Sequence, residues 1–88
     1  MTTIELILYS KPDCHLCEGL LEKLEKIRQP DWQLEIRDIT SREDWFNAYQ
    51  YEIPVLCQKL ATGEKILPRL SPRANAEQLA RLLANNLT

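Results

Sequence analysis

A nearly unbroken apolar run, Ile4-Glu5-Leu6-Ile7-Leu8-Tyr9, gives way to an amphipathic stretch that ends at Ile27, and Cys14-His15-Leu16-Cys17 sits at the junction. The short run reads as a buried strand. In the stretch that follows, Cys17, Leu20, Leu21, Leu24 and Ile27 recur at helical spacing while Glu18, Glu22, Lys23, Glu25 and Lys26 fill the other side, so a helix is predicted over about 14–28. A dithiol at a strand-to-helix junction has a chemical consequence. The helix N-terminus presents unpaired N–H groups and the positive end of the macrodipole, which favour a thiolate over a thiol. The second thiol, one turn on, shares that side of the helix and can attack a mixed disulfide formed at the first. Spacing and context together point to thiol–disulfide exchange.

The size leaves room for one small domain, residues 1–88, with 44% hydrophobic content; a chain this short buries about 60–65% of its unfolded surface. With a net charge of −2, a pI near 5.4 and basic residues scattered along the chain, no nucleic-acid partner is expected. No apolar run approaches the ~20 residues of a membrane span, and Glu5 interrupts the segment where a signal peptide needs an uncharged core. A cytoplasmic protein without a membrane partner is therefore expected. Three cysteines, two of them only two residues apart, do not make a secreted disulfide framework and read instead as redox or metal chemistry.

Further along, strand and helix signals alternate without a linker or repeat. Ser10-Lys11-Pro12-Asp13 ends the first strand, with Asp13 as candidate N-cap of the first helix. Gln29-Pro30-Asp31 breaks that helix. Trp32, Leu34 and Ile36 then alternate with Gln33, Glu35 and Arg37, the pattern of an edge strand with one wet face. Thr40-Ser41-Arg42-Glu43 has the form of a capping box before Trp45, Phe46 and Tyr49 on a short helix. Pro54-Val55-Leu56-Cys57 opens a third strand, and Ala61-Thr62-Gly63-Glu64 reads as a hairpin turn into Lys65-Ile66-Leu67, which stops at Pro68. A last helix is predicted from Asn75, with Gln78 completing a capping box and Ala76, Leu79, Leu82, Leu83 and Leu87 facing inward. The order is β-α-β-α-β-β-α, an α/β class.

The segment Tyr9-Ser10-Lys11-Pro12-Asp13-Cys14-His15-Leu16-Cys17, followed by Ile53-Pro54 at the start of the third strand, resembles the glutaredoxin branch of the thioredoxin superfamily, and the element order extends the resemblance over nearly the whole chain. It is most similar to the small glutaredoxin-like proteins. The resemblance implies a four-stranded mixed sheet in the order 2-1-3-4, the dithiol at the start of the first helix, and Pro54 in a cis peptide packed against it. The leading reading takes Cys14 as the nucleophile and Cys17 as the resolving thiol, with Lys11, His15, Ile53 and Pro54 around the substrate. Ile53 offers its backbone to an extended substrate chain beside Pro54.

Other residues carry two readings each. Lys11 favours the Cys14 thiolate by charge or is a solvated loop lysine, and His15, the sole histidine, supports it when protonated or is simply exposed. Cys57 reads as a small core hydrophobe. Gly19 falls on the polar side of the first helix, where it costs about 1 kcal/mol relative to Ala, with no evident reason.

One segment departs from the glutaredoxin pattern. Glutathione-binding members place a glycine pair and an acidic residue after the fourth strand, where this chain reads Arg69-Leu70-Ser71-Pro72-Arg73-Ala74-Asn75 and its two glycines, Gly19 and Gly63, lie elsewhere. Arg69, Arg73 and the N–H groups near Asn75 remain as attractors for a carboxylate. Glutathione is thus a doubtful reductant. The reading is a monomeric thiol–disulfide oxidoreductase with no bound cofactor or metal, acting on a protein or small-molecule disulfide. Two alternatives stand beside it: a metal-binding module using Cys14, Cys17, Cys57 and His15, and an interaction domain with a vestigial dithiol.

Overall fold

The computed structural model describes residues 3–27 and 31–88. Its elements are β1 (Ile4–Ser10), α1 (His15–Glu25), β2 (Trp32–Asp38), a short 3-10 turn (Ile39–Ser41), α2 (Glu43–Tyr49), β3 (Val55–Leu60), β4 (Gly63–Ile66) and α3 (Ala76–Asn86). The strands form one sheet in the order β2-β1-β3-β4. β1 runs parallel to β2 and antiparallel to β3, and β3 is antiparallel to β4. This is the predicted mixed sheet in the predicted order.

β1 is central and covered on both faces, which explains its continuous apolar run. Leu6 and Leu8 face a core built with Leu20, Leu24 and Ile27 from the α1 segment and Leu79 and Leu83 from α3. On the opposite face, Ile7 and Tyr9 pack with Ile39, Val55 and Cys57 under Trp45 and Tyr49 of α2. Two helices therefore cover one side and a single short helix the other.

The first helix starts one residue later than predicted. Asp13 adopts the left-handed conformation, with φ 62°, which a short polar residue tolerates, so it lies outside the helix. Cys14 is the N-cap instead, in extended geometry with its sulfur accepting from Cys17 N. At the other end α1 stops at Glu25, and Lys26 N to Lys23 O (3.2 Å) and Ile27 N to Leu24 O (2.9 Å) close a tighter turn. The predicted end at Arg28 and the break at Gln29-Pro30 lie outside the described residues.

Three further expectations are corrected. The capping box at Thr40–Glu43 does not form, because Asp38 Oδ1 accepts from both Thr40 N (2.8 Å) and Thr40 Oγ1 (2.6 Å) and draws residues 39–41 into the 3-10 turn. Arg42 then precedes α2 without a side-chain cap bond. On β2 the alternation fails at its end, since Ile36 is 54% exposed while the Arg37 side chain is only 16% exposed beneath the aromatic cluster. The hairpin turn is the pair Ala61-Thr62, with Leu60 opposite Gly63 and Gly63 at φ 141° opening β4. Leu67 lies just past that strand, buried, its N–H donating to Leu56 O at 2.9 Å. At α3 the capping box is present as predicted: Asn75 Oδ1 accepts from Gln78 N (2.9 Å), and Gln78 Oε1 accepts from Asn75 N (2.8 Å).

Candidate active site

The turn from β1 into α1 delivers the dithiol to the helix start. Cys14 and Cys17 are joined in a disulfide with their Cα atoms 5.3 Å apart. Cys17 N donates to Cys14 Sγ across 3.2 Å, so the sulfur occupies the position of an N-cap acceptor. Cys14 is half-buried while Cys17 is 4% exposed and faces inward. A thiolate at Cys14 thus meets an N–H donor and the solvent, and its partner waits one turn behind.

Of the remaining predicted site residues, His15 is 95% exposed at its side chain, with Nδ1 3.6 Å from the Glu18 carboxylate. Lys11 is exposed in the turn ahead of the dithiol. The Ile53–Pro54 peptide is cis, as the resemblance implied. Ile53 is half-buried against the cluster under α2. Cys57 is completely buried on that same side, and burial pushes its thiol up to about 11, which leaves it protonated and unreactive at neutral pH. Among the described residues no three His, Cys, Asp or Glu side chains converge as a metal would need.

Beside the dithiol lies a groove of 690 Å3. His15 and Leu16, the residues enclosed by the cysteines, form one end with Pro54; the groove continues along α1 past Gly19 and Leu20 to Lys26. Residues 67–72 and Leu79 and Leu82 of α3 make the other wall. Lys23 Nζ reaches across to Pro72 O at 3.0 Å. Gly19 therefore does not sit on a solvated polar face: it is half-buried at the groove wall, with no heavy atom within 4 Å of where a Cβ would stand. Sequence periodicity missed this because the facing wall comes from residues far along the chain.

A second feature had no sequence signal. Under α2, the Tyr9 hydroxyl donates to Glu64, and Arg37 donates to Tyr9 Oη (2.7 Å), to Glu64 Oε2 (2.9 Å) and to Glu35. The guanidinium carbon lies 5.1 Å from the Trp45 ring centroid. Burial raises the Tyr9 pKa, and the Tyr9 hydroxyl and Arg37 hold Glu64 below its ordinary value. The network ties β1, β2 and β4 together behind the site.

Residues 5–84 match the family model described as Glutaredoxin-like domain (DUF836). The chain belongs to this glutaredoxin-like family. The structure is similar to the structural-genomics target protein XcR50 from X. campestris, 28% identical, with a TM-score of 0.63 over 91% of this chain and 96% of that one. A malarial protein, 14% identical, superposes with a TM-score of 0.66 over 99% of this chain and 100% of its own, a likeness that shows the thioredoxin-like fold alone. Among curated protein sequences there is no match.

In this glutaredoxin-like chain, Arg69 is already engaged. Its Nη1 donates to Glu52 O (3.1 Å) and lies 3.5 Å from the Glu52 carboxylate, which fastens the segment after β4 to the loop before Pro54. That guanidinium is not a vacant anchor for a ligand carboxylate. No helix among the described residues is long and apolar enough to cross a membrane.

Proposed function

We propose that this glutaredoxin-like protein is a thiol–disulfide oxidoreductase in which Cys14 is the nucleophile and Cys17 the resolving thiol. The observation that carries the reading is the Cys14 sulfur at the N-cap of α1, accepting from Cys17 N, with its partner thiol within disulfide reach. In the reduced protein the Cys14 thiolate attacks one sulfur of a substrate disulfide. The new S–S bond forms as the substrate S–S bond breaks, and one substrate thiolate leaves. Cys17, giving up its proton to solvent, then attacks the Cys14 sulfur, and the second substrate thiolate departs with the electron pair. Two electrons pass to the substrate, which takes up two protons, and the protein is left with the Cys14–Cys17 disulfide. A dithiol reductant reverses the sequence.

The substrate is a protein or small-molecule disulfide, approached by a monomer in the cytoplasm, with the Ile53 carbonyl beside Pro54 offered to an extended chain, the Ile53 N–H being already donated to Tyr49 O at 3.1 Å, and Lys11 and His15 at the margin. No cofactor is needed for this cycle. The burial of Cys57 away from α1 speaks against a metal site that draws on all three cysteines. A redox titration followed by mass detection tests the reading. A two-electron transition confined to Cys14 and Cys17, abolished in Cys14→Ser, is the expected result; a dithiol that stays in one state across the range from −350 to −150 mV, about the span of cellular couples, would contradict it.

A further inference from the structure

Gly19 interrupts α1 where nothing around it calls for glycine. Its backbone is not in the left-handed region and a Cβ there meets nothing within 4 Å, yet glycine in a helix interior is destabilising relative to alanine. What the missing side chain leaves is space in the groove. That groove follows α1 from His15 to Lys26, about 16 Å at the helical rise, enough for about five extended residues. Its volume of 690 Å3 falls within the roughly 300–1,000 Å3 of sites that enclose drug-sized ligands.

The chemistry of the walls is apolar. Leu16, Leu70 and Leu82 present partly exposed side chains, and the buried Leu20, Leu67 and Leu79 complete the lining. Charges at the rim are of both signs, and two cations are already bonded, Arg69 to Glu52 and Lys23 to Pro72 O. Nothing here singles out an ionic ligand. Position then names the occupant: Leu16, 50% exposed between the two cysteines, and Pro54 stand at the end of the groove nearest the dithiol. Cys14 immediately precedes His15 at that end, so a chain bonded to its sulfur starts beside the groove mouth.

We propose that the groove receives the polypeptide flanking the reacting cysteine of a protein disulfide, that the substrates are those with large apolar side chains within about four residues of that cysteine, and that Gly19 sets the depth available to them. The inference rests on the exchange reaction proposed above and names its substrate class. A small hydrophilic disulfide leaves Leu16, Leu70 and Leu82 uncovered and gains nothing from them.

The test uses Cys17→Ser protein, which halts at the mixed disulfide, and two symmetric disulfide-linked peptide dimers that differ only in carrying Leu and Phe, or Ser and Gly, beside the cysteine. Mass spectrometry follows the rate of adduct formation at Cys14. The apolar dimer reacts about tenfold faster at sub-saturating concentration, the gain from burying one leucine-sized side chain. Adding Gly19→Leu brings the ratio of the two rates close to one, and Gly19→Ala brings it part of the way; circular dichroism checks that each variant is folded, and Gly19→Ala carries the test should the larger side chain prevent folding. Equal rates for the two dimers, or a ratio that neither substitution alters, overturn the groove assignment and leave the exchange reading standing. No adduct with either dimer or with a small dialkyl disulfide overturns both.

Discussion

The backbone N–H of Cys17 points at Cys14 Sγ across 3.2 Å, so the residue that opens α1 caps it with its own sulfur. Reduction of the disulfide converts that weak contact into a charge-assisted one if the sulfur is a thiolate. In the reduced protein, Cys14 is expected to alkylate fastest, with a half-maximal rate at a pH below the ~8.5 of free cysteine. Cys17, buried on the inner side of α1, reacts more slowly. Rate against pH, resolved by peptide mapping, checks this, and fastest labelling at Cys17 or Cys57 reverses the assignment.

Mild oxidation of the reduced chain should give one intramolecular disulfide, Cys14–Cys17, and a free Cys57. The two Cα atoms 5.3 Å apart are within the range that a disulfide spans, whereas Cys57 is fully buried on the far face of the sheet with its thiol held near 11. Mass mapping after alkylation under native and then denaturing conditions should show Cys57 modified only in the second step. A cross-link from Cys57 to either member of the pair would make it a redox partner.

Tyr9, Arg37 and Glu64 give a pH signature remote from the dithiol. The Glu64 carboxylate titrates below its ordinary value, first because Tyr9 donates to it and then because Arg37 pairs with it. A depressed carboxylate contributes stability that is present above the unfolded glutamate value of ~4.3 and is lost as pH falls through the lower folded value. Glu64→Gln should therefore destabilise at pH 7 by about 1–2 kcal/mol, reduced from the full worth of two charged hydrogen bonds by partial exposure, and the deficit should shrink as the pH is lowered below ~4. Denaturant melts at pH 7 and pH 3 measure it. An equal deficit at both values would remove the ionic contribution.

What could be read from the sequence was what neighbouring residues decide among themselves. Cys14 and Cys17 one turn apart, Asn75 with Gln78 three positions on, and the unbroken run of β1 each state their structure within a few residues. The misplaced features depend on competition or distance. Asp38 takes the Thr40 N–H that the predicted box assigned to Glu43, Asp13 yields the cap to the cysteine that follows, and Tyr9 meets Glu64 across 55 positions. Gly19 belongs with these, since the wall it faces is supplied by residues 67–72 and α3.

Gly19→Ala should raise stability. The Cβ enters open space and the helix gains about 1 kcal/mol of intrinsic propensity, worth roughly 4–8 °C in Tm for a domain of this size. A lower Tm would mean that the glycine backbone itself is required.

Glutathione should be a poor co-substrate. The segment Arg69–Asn75 has no glycine to admit close backbone approach, Arg69 is paired with Glu52, and Lys23, another cation of the groove, is bonded to Pro72 O. Each lost backbone hydrogen bond forfeits about 0.5–1.5 kcal/mol, or up to about 3 where a charge is involved. Two or three such losses approach the roughly 4.1 kcal/mol of a millimolar complex. Turnover with a glutathione-coupled assay should therefore be weak, while exchange with a dithiol or protein disulfide proceeds, is abolished by Cys14→Ser and is trapped as a mixed disulfide by Cys17→Ser. Efficient deglutathionylation that survives Cys17→Ser would mean that the tripeptide is held without the glycine pair, through Arg69 or Arg73, and a Glu52→Gln variant, which frees Arg69 from its carboxylate partner, would then be expected to strengthen it.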